Sequence, residues 1–398
     1  MLQAVQLGQK YDDSLKIAEK GVDDGRVQQR IARSSLLPQV SAATSVRHSE
    51  NFDEQRAVNE SLSLTQTIWN AQQHSLHAAS KKRLELASTE HAKAISANLL
   101  NVTEAYLGVL SAASNLELAN RNVAGVESHK KVVETLFGLR ESTILEILET
   151  LADLDLAILS VISADNNLSN SQERLGLLIG EGEHDLVSVN IDLSSIGNEV
   201  GRPLAEWLES AEHNNHDLRI SRLRLAIAEI NIEQARRDKH PRVSFRGAYD
   251  RSRTHGGLAS GNGDITRQAT LSLDLPLYQG GRRAAKLKEA QIAYDRQQLR
   301  IAQQTKQLRQ QITALYRKRR NARERAFALI SLVDSNRRKI GATQDGFARG
   351  DRTSSEVLTA QNLLLESETD LVSSIHDYIL SGLELENSAG ALSIEDIH

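Results

Sequence analysis

Apolar residues recur along this chain with two distinct periods. In one stretch Ile95, Leu99, Val102, Tyr106, Val109, Ala113, Leu116, Asn120 and Val123 step by four and three, with one polar exception. In another, Ile301, Thr305, Leu308, Ile312, Leu315, Arg319, Ala322, Ala326, Leu329, Val333, Asn336 and Ile340 do the same with three exceptions. A sustained period of 3.5 residues is the mark of left-handed coiled-coil packing. Gln, Asn, Ser, Lys and Arg fill the other positions, which predicts narrow apolar stripes on solvated rods. Elsewhere the period is two. Leu62, Leu64 and Ile68 alternate with Ser63, Thr65 and Thr67, while Leu271, Leu273, Leu275 and Leu277 alternate with Ser272, Asp274 and Pro276. That alternation predicts β-strands with one apolar face.

Only four prolines, Pro38, Pro203, Pro241 and Pro276, punctuate the 398 residues. Proline breaks helix interiors, so the long intervals without it admit very long helices. The chain also repeats itself. Leu37-Pro38-Gln39-Val40-Ser41 is echoed 203 residues later by His240-Pro241-Arg242-Val243-Ser244, and Ser61 to Leu64 is echoed 209 later by Thr270 to Leu273. Phe137 to Leu148 is echoed 210 later by Phe347 to Leu358. Ordered matches at a nearly constant offset indicate an internal duplication.

Two repeats are therefore expected. The first, 1–200, holds a helix (about 2–34), strands at about 37–47 and 60–69 around a polar loop from His48 to Asn59, a long helix, a tip at about 138–143, and a return helix. The second, 201–398, holds a helix (about 203–239), strands at about 241–251 and 268–278, a long helix, a tip at about 348–353 and a return helix. Its loop, Thr254 to Thr266, contains Gly256, Gly257, Gly261 and Gly263. A helix of about 65 residues rises on the order of 100 Å, more than a compact domain accommodates.

Composition narrows the function. Aromatics are 4% of residues, with one Met and no Cys, which argues against a thick globular core. Absence of Cys excludes thiol catalysis, Cys-ligated zinc, a disulfide framework and a lipid-modified N-terminal Cys in the chain as given. The formal net charge of −4 lacks the basic balance of a nucleic-acid binder. No apolar run is long enough for a transmembrane helix. No secretory signal opens the chain, which then reads as cytosolic or as a trimmed product carrying a start Met. No nucleophile–base set, metal cluster or cofactor fingerprint is evident, so an enzyme is not expected.

The four alternating segments have Trp69, Phe245, Tyr249 and Tyr278 near their ends. Dyad alternation with aromatic rims matches transmembrane β-barrel strands, and half-buried strands of soluble sheets look the same. Context favours the membrane, because these strands lack other apolar strands to pack against. Four strands cannot close a barrel, and open edges are not tolerated in lipid. Several protomers must then pool them. The alternative is a soluble coiled-coil structural or adaptor protein with β-hairpins.

At this point the chain resembles the TolC family of outer-membrane efflux and type I secretion channels. The likeness rests on the duplicated element order, the two Pro-x-Val-Ser strand starts, the run Leu275 to Gly281, and a tip motif from Gly350 through Glu356, Val357 and Leu358 to Ala360. The resemblance implies a mainly α fold with a β-barrel part. Long antiparallel coiled-coil helices would form a trimeric α-barrel in the periplasm, with an equatorial region around 180–205 and near the C-terminus. Four strands from each protomer would close a 12-stranded outer-membrane barrel. It also implies no cofactor. The implied partners are two further copies, outer-membrane lipid, a periplasmic adaptor (membrane fusion protein) and an inner-membrane ABC or RND transporter. Lack of the Cys anchor common in RND-linked channels leans toward ABC-driven protein secretion.

The resemblance places a gate at the tips. Arg352 and Phe347 fall on the family's Arg and aromatic positions, and Glu146 and Glu356 on the acidic ones. An Arg352–Glu146 bond would latch hairpins, and three copies of Glu356 would form an acidic constriction whose mutual repulsion raises their pKa. Phe347 lacks the hydroxyl of a Tyr, Thr359 stands where a second acidic ring is expected, and Arg140 replaces a tip Gly, which puts that turn's geometry in question. Leu139, Arg140, Glu141, Gly350 and Asp351 are the expected adaptor-docking tips, and Gly280 and Gly281 the strand-to-helix junction. Two other clusters read as structural. His213 and His216 lie three apart on a predicted helix with no third metal ligand in view, and the basic run from Arg317 to Arg325 reads as a solvated face or a ring of positive charge in the channel.

Overall fold

The computed structural model describes residues 2–51, 53–180, 202–255 and 261–392. The expected equatorial segment around 180–205 falls largely outside them, as do Gly256 and Gly257. In chain order the elements are α1 (Leu2–Tyr11), α2 (Asp13–Ser34), β1 (Gln39–Asn51), β2 (Asp53–Trp69), α3 (Ala71–Gly138), α4 (Ile144–Ile179), α5 (Leu204–Asn214), α6 (His216–Arg237), β3 (Arg242–His255), β4 (Gly261–Asp274), α7 (Arg282–Ala348) and α8 (Ser354–Ala389). The long helices α3 and α7 hold 68 and 67 residues.

Both initial helices, expected continuous, are broken once. Asp12 ends α1 and caps α2: its carboxylate accepts from the Ser14 backbone N–H at 2.7 Å and from Asn98 Nδ2 of α3 at 2.7 Å. These donors hold its pKa below the ordinary value against the opposing effect of burial. At the equivalent place, 203 residues on, Asn215 separates α5 from α6 and donates to the Ser388 carbonyl at 2.8 Å. A short polar side chain that bonds backbone groups competes with helix continuation. The break also corrects one expectation, because His213 and His216 stand on different helices.

The described chain forms two compact units, each drawing on both sequence halves: residues 1–16, 93–215 and 305–398, and residues 17–92 and 216–304. In the first, α1 packs onto α3 and α4 through Val5, Leu99, Val102, Tyr106, Leu175 and Ile179. The stripe on α7 falls as expected, with Leu308, Ile312, Ala322, Ala326, Leu329 and Val333 all buried. On α3 it slips. Val102, Tyr106 and Val109 are buried, but Ala113 and Asn120 are exposed, and the buried positions continue as Ala112, Ala119, Asn122, Val126, His129 and Val133. The slip is one residue toward the N-terminus, opposite to the drift of a 3.6-residue helix from a strict 3.5 repeat; from Asn122 to His129 the helix packs on α4 and α8, and those partners set the buried face.

In the second unit the four strands make one antiparallel sheet in the order β1-β2-β3-β4. All four reach further than the alternation predicted at their turn ends: β1 and β2 run through the expected polar loop to a turn at Asn51 and Asp53. Ladder hydrogen bonds join backbones whatever the side chains are, so polar residues extend the hairpin. β4 stops at Asp274, which leaves Leu275 and Leu277 outside the sheet.

Candidate functional site

Two surfaces carry the chemistry: the faces of the sheet and the helical tips. In an antiparallel ladder, directly opposite residues share a face. Val40 opposes Leu64, Ala42 opposes Leu62, Leu62 opposes Tyr249, Phe245 opposes Leu271 and Val243 opposes Leu273. A bulge between Thr67 and Trp69 brings Trp69 opposite Val243, onto the same face. The other face pairs Ser41 with Ser63, whose hydroxyls lie 2.8 Å apart, Thr65 with Arg246, Ser244 with Ser272 and Arg242 with Asp274. The polar positions expected at Ser63, Thr65, Ser272 and Asp274 thus fall together. Among the described residues no element covers the apolar face: Leu271 and Leu273 are each 69% exposed. Among the described residues, β1 and β4 each have a partner on one side only.

At the end where helices meet strands, Gly280 and Gly281 have φ of 58° and 83°. Left-handed backbone at two successive positions turns the chain from β4 into α7, and glycine alone adopts it without a Cβ penalty. Tyr278 beside them is 86% exposed.

The tips are built from two motifs used twice. At the first, the Arg140 N–H bonds the Phe137 carbonyl at 3.0 Å and the Glu141 N–H bonds the Leu136 carbonyl at 2.8 Å. At the second, Gly350 bonds Phe347 at 3.0 Å and Asp351 bonds Gly346 at 2.9 Å. This is the Schellman end of a helix, with a left-handed residue closing it. Arg140 keeps the turn, with φ of 65° against 81° for Gly350. It is the one non-glycine residue with positive φ among those described. Each return helix then opens with a capping box. Thr143 and Glu146 exchange side-chain and backbone bonds at the first tip, and Thr353 and Glu356 at the second.

These caps occupy the expected gate carboxylates. Glu146 also accepts from the Ser142 hydroxyl, and Glu356 accepts from Arg352 Nη1 at 2.7 Å. Within the chain, then, Arg352 pairs with Glu356 and not with Glu146. The Glu356 carboxyl is held below its ordinary pKa, first by the Thr353 backbone N–H and then by Arg352. The rise expected of a three-fold acidic ring is not a property of the single chain. Arg352 and Glu356 also line a 480 Å³ groove between α7 and α8 with Lys339, Thr343 and Thr359.

A joint between the two hairpins escaped the sequence reading. His129 of α3 is buried, with Nε2 2.7 Å from the Ser354 hydroxyl of α8, and Phe347 of α7 packs on its ring at 5.0 Å between centroids. Ser354 and Thr150 of α4 are fully buried, their hydroxyls 3.3 Å apart. Burial pushes the His129 pKa down, partly opposed by Glu146. Nearby, Val126, Ala157 and Leu358 pack together, and Gln361 donates to the Asn122 carbonyl at 3.2 Å. It passes so close to Gly125 that a Cβ there would lie 2.0 Å from Gln361 Nε2. His129 lies off the stripe extrapolated from Ile95 to Val123, so the sequence period did not mark it.

Other clusters are structural. Lys318 pairs with Glu384 and Arg325 with Asp370, while Arg319 lies over Tyr378. Among the described residues no group of three His, Asp or Glu is placed to hold a metal.

A long-helix chain with twin tips and a four-stranded sheet bare on its apolar face defines a channel-forming class of protein. Residues 5–181 and 207–391 match the model of the outer membrane efflux protein family, and the chain belongs to that family. It is 26% identical over 373 residues to the outer membrane protein TolC of Vibrio cholerae, covering 92% of this chain and 85% of the relative. It is 23% identical over 417 residues to the alkaline protease secretion protein AprF of Pseudomonas aeruginosa, covering all of this chain and 85% of the relative. The solved structure of CusC superposes with a TM-score of 0.86 at 16% identity, covering 98% of this chain and 91% of that one. The chain has the fold of the TolC-like channels and is an outer-membrane exit duct for secretion or efflux.

Proposed function

We propose that three copies assemble into the duct, each contributing its four strands to a 12-stranded barrel. The observation that carries this is the sheet, with an apolar band exposed on one face and, among the described residues, outer strands paired on one side only. In lipid every backbone donor and acceptor must be paired, so β1 of one copy must meet β4 of the next. No described helix is apolar enough to cross a membrane, which leaves the sheet as the spanning element. The chain arises from duplication of a helix–hairpin–helix–tip–helix unit, one repeat in 1–200 and one in 201–398. Support comes from the caps, breaks and tips that recur at offsets of 203 to 210 and from the two separate family matches.

The tips gate the pore and receive a periplasmic adaptor. Glu146, Phe347, Arg352 and Glu356 form the constriction, with Arg352 free to exchange Glu356 for an acid of another copy. Leu139, Arg140, Glu141, Gly350 and Asp351 present the docking surface, which the groove beside Arg352 extends. An inner-membrane ABC or RND transporter supplies the cargo, and the likeness to AprF over all of this chain supports protein secretion. The test is purification with and without detergent, followed by single-channel recording. A detergent-dependent trimer that conducts in planar bilayers is expected, with Glu356→Gln reducing its cation selectivity. A freely dissolved monomer overturns the assembly.

A further inference from the structure

The face of the sheet that meets lipid in this reading is not apolar throughout. From the helix end it carries Trp69, Val243, Leu273 and the apolar pairs above them, and then it changes. Arg267 opposes Tyr249, Arg251 opposes Glu60 and Arg253 opposes Val58, and Arg56 lies two residues along β2 from Val58, all by register on this one face. Arg267, level with Tyr249, and Arg251 stand six and eight residues beyond Val243 along β3, on the order of 15 and 20 Å along the membrane normal at about 3.3 Å per residue and a tilt near 40°. The lipid-facing apolar band of such barrels is about 25 Å tall. The arginines therefore stand in the outer part of that band, at the end of the sheet away from the helices, where their long stems can carry the guanidinia to the headgroups.

The two faces differ in charge balance. Among described side chains the polar face sets Arg47, Arg242 and Arg246 against Asp250, Asp264 and Asp274. Among described side chains the lipid-facing rim sets four arginines against Glu60. Arg56, Arg251 and Arg253 form no ion pair among the described residues, and Arg251 Nε is buried without a hydrogen-bond partner. Arg267 lies over the Tyr249 ring at 5.9 Å. An unpaired guanidinium at a membrane interface seeks a phosphate, which it holds through two parallel N–H···O bonds.

We propose that Arg56, Arg251, Arg253 and Arg267 form a rim that binds the phosphates of an anionic outer-leaflet lipid. The proposal rests on the barrel reading, which sets this face toward lipid, and goes beyond it by naming the lipid chemistry. Tyr249 and the Arg267 stem hold the glycolipid side, and the guanidinia take the phosphates. In a trimer the rim repeats three times, giving one collar of bound lipid per barrel.

The test titrates the full chain in detergent with bisphosphorylated lipid A and with its dephosphorylated form, counting bound lipid by native mass spectrometry. Wild type is expected to bind the phosphorylated form with strong salt dependence. The triple variant Arg251→Gln/Arg253→Gln/Arg267→Gln is expected to bind it at least about tenfold more weakly, and the matching lysine variant to recover part of the loss. Arg47→Gln/Arg246→Gln on the other face should change nothing. Equal binding of both lipid forms, or unchanged binding by the triple variant while it still forms a conducting trimer, overturns the rim and leaves the duct standing. A wild type that neither assembles nor conducts removes both readings. Should the triple variant not assemble, Arg267→Gln alone must still weaken phosphate-dependent binding.

Discussion

The two helical tips share a backbone and differ in what surrounds it. Ser142 and Arg352 are equivalent, and each supplies a donor to the capping glutamate of its tip. Arg140 and Gly350 are equivalent, and both are left-handed. The first residue of the return helix is where they part. Ile144 is 59% exposed, whereas Ser354 is fully buried against His129 and Thr150. The turn is local chemistry that either hairpin makes alone, while the joint exists only because the second hairpin leans its helix start on the first. The start of the first return helix is exposed, and that of the second is buried against the other hairpin.

The strongest way to break this comparison is to give the buried helix start the residue of the exposed one. Ser354→Ile removes the partner of His129 and forces a larger side chain into a filled space, and should cost on the order of 3 kcal/mol. The reciprocal Ile144→Ser changes an exposed position and should stay within about 0.5 kcal/mol. Thermal unfolding of both full-length variants in detergent measures the contrast. Equal losses at the two tips would mean that the joint does not anchor the second hairpin.

Exchanging the turn residues tests the shared part. Gly350→Arg meets no atom within 4 Å of the added Cβ, so its cost is conformational alone, about 1–2 kcal/mol for a left-handed non-glycine residue. Arg140→Gly relieves the same strain and should stabilise by less than about 1 kcal/mol, since glycine also loosens the unfolded chain. Unfolding midpoints should move in opposite directions.

His129 sharpens the comparison through pH. Its folded-state pKa is lowered by burial, so as pH falls below about 6.5 the unfolded chain takes up the proton first. Stability is therefore full above that pH and declines as pH falls toward the folded value. Glu146 is the one charge that acts on the ring, and it narrows the window. His129→Gln keeps a hydrogen-bonding group for Ser354 without a titrating one. The loss of thermal stability between pH 7.5 and 5.5 should shrink in this variant relative to wild type.

Much of this was legible in the residues. The stripe from Leu308 to Val333, both tips, and the alternation about Leu62 and Leu271 follow from period and turn chemistry. What escaped depends on partners distant in sequence or on backbone bonding. The phase of α3 beyond Val109 is set by the helices packed on it, and the extension of β1 and β2 through polar residues by the ladder. Asp12 and Asn215 break helices because Asn98 and the Ser388 carbonyl wait on neighbouring elements. Arg352 was matched to Glu146 by the family motif, whereas the nearest acid one turn along α8 is Glu356, and local pairing wins within the chain.

That local pair yields the smallest expected effect. Glu356 receives the Thr353 backbone N–H at 2.8 Å as well as Arg352 at 2.7 Å, and the backbone bond is the larger cause of its lowered pKa. A depressed carboxylate stabilises the fold above its unfolded pKa and loses that contribution as pH falls. In Arg352→Ala the Glu356 pKa should rise but remain below the ordinary value of 4.5, because the cap persists, and unfolding should barely change since the pair is exposed. Carboxyl titration by NMR on the full chain measures the shift. A Glu356 that titrates at or above its ordinary value would show that Arg352 holds the cap, and an arginine so committed could not also serve as the movable part of a gate. A modest shift leaves the second tip with the same self-sufficient cap as the first, where Ser142 replaces the arginine, and leaves Arg352 available to a neighbouring chain.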